Sequence, residues 1–186
     1  MTKTRKALRT LVVLCLLGGL AAVGAFSAFS SQTDNPGNQI STGTVELTDN
    51  DSTAKLYDIS NAKPNDPDES CITVTYTGSL PADVKLFGTT AAGALNPHVN
   101  LKVEVGSGSP AFDDCTGFVP SGVVYDGDLA GYADDYASGY LSNPGDGSWD
   151  NGDSRDYRVT VSIDDVQAAE GLSSGTQTFT WEAQNQ

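Results

Sequence analysis

Tyr157-Arg158-Val159-Thr160-Val161-Ser162-Ile163 is the stretch that decides the fold of this chain. Apolar side chains fall on every second residue. In an extended strand neighbouring side chains point to opposite faces, so Tyr157, Val159, Val161 and Ile163 share one face and Arg158, Thr160 and Ser162 the other. Ile72-Thr73-Val74-Thr75-Tyr76 repeats the pattern, and so does 99–105, where Leu101, Val103 and Val105 are expected to face inward and Lys102 and Glu104 outward. It returns in Phe179, Trp181 and Ala183, which alternate with Thr178, Thr180 and Glu182. Further strands are expected at 43–47, 55–59, 84–87 and 123–125, about eight in all.

Between them lie runs of turn formers: Thr48-Asp49-Asn50-Asp51-Ser52, Asn61-Ala62-Lys63-Pro64-Asn65-Asp66-Pro67, residues 106–110, and Asn143-Pro144-Gly145-Asp146-Gly147. Many short strands with this spacing predict an all-β fold, a jelly-roll-like antiparallel β-sandwich, with residues 40–186 as one domain. Two short helices are expected as insertions, at 129–140 and at 164–171, the second with an Asp start and a Gly stop. Asn65-Asp66 and Gly152-Asp153 each stand just ahead of a strand, an internal echo expected to reflect similar hairpin entries on opposing sheets.

The first 29 residues have the grammar of an export signal. Lys3, Arg5, Lys6 and Arg9 form a basic start, and no charge interrupts the run from Leu11 to Phe29. Ala25-Phe26-Ser27 is a small-x-small exit, which places cleavage between Ser27 and Ala28. The run is also long enough to span a bilayer, but Gly18, Gly19, Gly24 and the small exit favour cleavage. Cys15 lacks the small residue before it that lipidation requires. The mature chain is therefore expected to be secreted, with residues 28–39 as an N-terminal arm. Removing residues 1–27 takes away four of ten basic residues and no acid, leaving 24 acids against 6 bases, a net charge of −18. Such a surface repels nucleic acid and anionic lipid. Membrane contact is expected only through the signal, before cleavage.

Two cysteines remain, Cys71 and Cys115, and an even pair in an exported chain is a disulfide candidate.

No catalytic set is recognisable. A zinc hydrolase uses three protein ligands, mostly histidine, and an open position for water, whereas this chain has one histidine, His98, expected on the outward face of its strand. Gly171-Leu172-Ser173-Ser174-Gly175 matches a nucleophile motif in letters only, because it closes an expected helix instead of opening one. Asp146-Gly147-Ser148-Trp149-Asp150 begins like a calcium loop, which makes Asp146, Asp150 and Asp153 candidate calcium ligands. Asn151 replaces the loop glycine, however, and Tyr157 stands where the bidentate glutamate belongs. Trp149 and Trp181, with Tyr125, Tyr132, Tyr136 and Tyr140, are candidates for a carbohydrate-facing surface, although alternation places Trp181 in the core.

Five stretches in the same order also resemble a known family. They are Gly24-Ala25-Phe26-Ser27-Ala28-Phe29-Ser30, Ser41-Thr42-Gly43-Thr44-Val45-Glu46-Leu47, Ile59-Ser60-Asn61-Ala62-Lys63-Pro64-Asn65-Asp66, the strand from Cys71 to Tyr76 with Thr77-Gly78-Ser79-Leu80-Pro81-Ala82, and Thr178-Phe179-Thr180-Trp181-Glu182-Ala183-Gln184. Together they are similar to the camelysin and TasA-like secreted proteins, which use a dedicated signal peptidase. Asn65 stands where that family prefers glycine, and asparagine tolerates the left-handed backbone. The resemblance implies a jelly roll exported to the cell surface or extracellular matrix, where some members assemble into biofilm fibres and others have been called metallopeptidases. Expected partners are copies of the chain itself or related matrix proteins. Assembly by strand exchange needs a free extended segment, and the candidate donor is the arm that begins Ala28-Phe29-Ser30-Ser31-Gln32; the same composition suits a disordered tail.

Overall fold

The computed structural model describes residues 41–109, 111–144 and 148–185. Strand β8 (Ser154–Ile163) is flanked on both edges. Antiparallel to it on one side runs β2 (Asp68–Tyr76), with Ile72 opposite Tyr157, and on the other β4 (Val99–Ser107), with Val103 opposite Val159. Adding β1 (Leu47–Asp49) to β2 and β5 (Val119–Asp128) to β4 completes a five-stranded sheet in the order β1-β2-β8-β4-β5. The β-branched and aromatic residues that fill these strands suit a pleated, half-buried surface.

The second sheet is built around β3 (Ala82–Phe87). Residues 82–87 pair with β9 (Thr180–Asn185), and four of them pair also with β6 (Tyr140–Leu141) or β7 (Ser148–Trp149), so β6 and β7 lie end to end on the edge opposite β9. The two sheets close on one core, to which β2 and β8 give Ile72, Val74 and Val159 and the second sheet gives Val84, Leu86 and Trp149, all 2% exposed or less. Thr42–Gln186 forms one compact unit, an antiparallel β-sandwich.

Several expectations need correction. Residues 55–59 are loop, and the first strand is confined to Leu47–Asp49, although Glu46 and Thr44 still accept hydrogen bonds from Thr77 and Ser79. β2 and β8 are neighbours in one sheet, so the two hairpin entries do not sit on opposing sheets. Neither expected helix forms. Leu129–Gly131 and Gln167–Ala169 are single 3-10 turns, and aspartates at and just before the first stretch hold loop backbone instead: Gly131 N–H donates to Asp128 Oδ1 and Ser138 N–H to Asp135 Oδ1, both at 2.7 Å. Short polar side chains that bond nearby main chain compete with helix in this way. Asn65 does take the left-handed conformation, with φ 58°, and its N–H donates to Ile163 O at the end of β8.

The outer face of the large sheet carries the disulfide. Cys71 and Cys115 are bridged, with Cα atoms 5.2 Å apart, and the bond pins the 108–118 loop against β2. That loop is better anchored than a lone bridge would make it. Ser70 Oγ donates to Asp113 Oδ1, Asp113 N–H to Cys71 O, and Ser109 N–H to Asp156 Oδ2. Under its far end Glu104 is 6% exposed, against the expectation that it faces solvent. It does point to the outer face, but Arg158 Nη2 lies 2.6 Å from its carboxylate and Lys102 Nζ 2.9 Å, while Phe118 stacks on the Arg158 guanidinium at 5.1 Å.

Burial pushes the Glu104 carboxyl up, yet the hydrogen bonds and charges of Lys102 and Arg158 outweigh it and hold the carboxyl below the ordinary range. A depressed acid contributes stability that is complete above its unfolded-state pKa and is lost as pH falls through the lower folded value. Glu104→Gln is expected to lose about 2 kcal/mol at neutral pH, the scale of a charge-assisted hydrogen bond, with Glu69 at 3.7 Å still beside Arg158. Urea titrations from pH 7 down to acid check this: the gap between variant and parent should narrow below the ordinary carboxylate range, and a gap independent of pH would refute the assignment.

Candidate functional site

The free edges of a sandwich decide what can add to it, because an unpaired strand presents a row of open N–H and C=O groups. Three of the edges here are blunted. β1 has three residues, β6 and β7 two each, and β5 contains Pro120 and carries two extra residues, Val124 and Ser121, where its register against β4 shifts at Val103/Glu104 and Val105/Gly106. β9 differs: its six residues, Thr180-Trp181-Glu182-Ala183-Gln184-Asn185, include no proline, glycine or lysine, and among the described residues it pairs with β3 alone.

Beside that edge the two sheets part. A groove of about 1370 Å³ opens between β1 with the 51–66 loop on one side and β9 with residues 169–179 on the other. Core side chains form its floor, among them Ile72, Val74, Val161, Leu95 and Leu129. Phe179 and Trp181 line the β9 wall, and Asp49, Asp51, Asp58 and Asp66 stand along the opposite one. The wall is built by backbone meeting backbone. Ala91 N–H donates to Thr176 O and Thr178 N–H to Thr89 O, and a Cβ at Gly88 or Gly175 would run into the facing main chain, so glycine is required at both. Tyr57 hydroxyl donates to Gln177 Oε1 across the groove at 3.1 Å, and burial pushes its phenol up to about 12, so it keeps its proton. Gln177 Nε2 is buried without a hydrogen-bond partner among the described residues.

Three of the tyrosines pack on one another. Tyr125, Tyr132 and Tyr140 meet ring to ring with centroids 4.8–5.6 Å apart, Tyr132 continues to Phe179 at 5.7 Å, and Trp181 meets Tyr157 at 5.2 Å. Tyr136 stands apart, edge-on to Phe87 and beneath Lys85 Nζ at 4.9 Å. Trp149 is fully buried, which removes it from any surface.

His98 ends the 3-10 turn Asn96–His98 before β4, instead of lying on the strand, and is half-buried. Asp150 and Asp153 shape one turn, Asp150 N–H donating to Asp153 Oδ2 at 2.9 Å, and Asp153 faces Arg155 at 3.9 Å. Asp146, the third calcium candidate, lies outside the described residues, as do the cleavage position Ser27/Ala28 and the whole arm from Ala28 to Gln39. Among the described residues no group of three or more His, Cys, Asp or Glu gathers where a metal ion could be held. Ser173 and Ser174 lie on the groove wall, where Ser173 O accepts from Leu95 N–H and Gly175 N–H donates to Asn96 Oδ1, as suits a turn.

No family model matches this chain. No curated protein matches it either. The groove and the β9 edge escaped sequence reading, since they depend on which strand fails to find a second neighbour. A partial signal is present in the composition of β9, an edge strand with no proline or lysine and one charge, Glu182.

Proposed function

We propose that this chain is an exported structural protein of the cell surface or extracellular matrix, whose copies join by strand exchange. The observation that carries the reading is the β9 edge, unpaired among the described residues, beside a groove floored by core side chains. An added strand there gains main-chain hydrogen bonds from β9 and buries alternate side chains in the groove, the two ingredients of strand addition. The arm at 28–39 of a neighbouring copy is the donor, in keeping with the resemblance to matrix-fibre proteins. Export accounts for the basic, then apolar, N-terminal stretch, and a bridged cysteine pair belongs to an oxidising compartment.

Mature protein from residue 28 onward is expected to form linear assemblies in electron microscopy and light scattering. Two variants separate donor from acceptor: deletion of 28–39 removes the donor, and Ala169→Trp fills the groove, where Ala169 sits half-buried against the core. Each alone should be monomeric, and an equal mixture should yield dimers that grow no further. Parent protein that stays monomeric across salt, pH and divalent ions would sink the proposal, and fibres from the arm deletion would remove the arm as donor.

A further inference from the structure

The turn that follows β1 reads Asn50-Asp51-Ser52, and no other asparagine in the chain is followed two positions later by serine or threonine. Asn-x-Ser with x other than proline is the acceptor signal for asparagine glycosylation in exported chains, because the transferring enzyme reads the hydroxyl at the third position. We propose that Asn50 carries an N-linked glycan, a reading that rests on export of the chain.

The local geometry fits an acceptor. Asn50 and Ser52 are both exposed. Asn50 Oδ1 accepts the Thr73 N–H at 2.9 Å, taking the place a main-chain carbonyl would hold had β1 continued one residue beyond the Asp49–Val74 pair. This bond uses only the carbonyl end of the side-chain amide. Glycosylation uses the other end: Nδ2 attacks the anomeric carbon of a lipid-phosphate-linked sugar, the C–N bond forms, the C–O bond to the phosphate breaks with its electron pair, and the proton lost from Nδ2 passes to a carboxylate of the enzyme. The product keeps Oδ1 and therefore the bond to Thr73. Neither the sheet nor the core has to move to admit the sugar.

The position also has a use. Among the described residues nothing pairs with β1 on its outer side. Asp49 and Asp51, the neighbours of Asn50, stand on the groove wall opposite β9. A glycan at Asn50 shields the end of the β1 edge, and strand addition is left to β9.

The test uses the full chain in the cells that naturally produce it, with the protein recovered separately from cytoplasm and from the exterior. Mass spectrometry of the peptide spanning Asn50 in exported material is expected to show an added mass of one or more sugar residues. Ser52→Ala should abolish that mass while leaving Asn50, its bond to Thr73 and the amount exported unchanged; Asn50→Gln should abolish it too. Exported protein with unmodified Asn50, or an added mass that survives Ser52→Ala, overturns the proposal with export intact. Protein found only in the cytoplasm overturns export and the glycan together.

Discussion

Trp149→Ala is expected to lower the unfolding free energy by about 4 kcal/mol, the middle of the range for deleting a buried aromatic side chain. Trp149 is the largest side chain with no exposed surface. Its backbone pairs with Ala82, its Nε1 donates to Ser142 Oγ at 3.1 Å, and the Arg155 guanidinium covers the ring at 4.8 Å. Ser142 N–H in turn donates to Val84 O, so one indole fastens β6 and β7 to β3. Trp149→Phe retains most of the volume and withdraws the donor from a buried hydroxyl, for an expected loss of about 1–2 kcal/mol. Urea unfolding of the three proteins should rank them in that order. Equal stability of parent and alanine variant would mean that the second sheet is held by something other than this ring.

Breaking the bridge has an effect of similar size. Cys71 and Cys115 are 44 residues apart, and in the chain-entropy treatment closing such a loop stabilises the folded state by about 4 kcal/mol. Cys71 is fully buried, so alanine is the substitute there, since a serine hydroxyl would need a partner; half-buried Cys115 accepts serine. The double variant should melt roughly 12 °C lower, at about 3 °C per kcal/mol for a domain of this size. Hydrogen exchange adds a spatial check. The loop from 108 to 118 keeps its bonds through Ser70 and Asp156, so its amides should speed up without becoming fully unprotected. A loss under 1 kcal/mol in calorimetry would show that those bonds already confine the loop.

The strands with the longest uninterrupted alternation, β2, β4 and β8, were legible in the sequence because each has one face on the core, and a one-residue slip would expose every apolar side chain. β6 and β7 were not, since two residues cannot display a period. The 55–59 segment misled for a related reason: Leu56 and Tyr57 are adjacent, and both are half-buried because the loop lies over the groove instead of alternating across a sheet. Glu104 had the correct face and the wrong environment, because its partners Arg158 and Phe118 come from distant parts of the chain. The disulfide was legible because only two cysteines, Cys71 and Cys115, follow the apolar N-terminal stretch. The groove was not, because it is a property of what β9 lacks.

The order of the large sheet sets when the protein can fold. β8 is the eighth strand along the chain, and it lies between β2 and β4, which do not touch each other. Until residues 154–163 are present, β1 and β2 form one hairpin-sized fragment and β4 and β5 another, neither able to bury its apolar face. Contacts so distant in sequence also make closure slow. Made from its N-terminus, the chain therefore holds β1, β2, β4 and β5 without a shared core until residues 154–163 arrive.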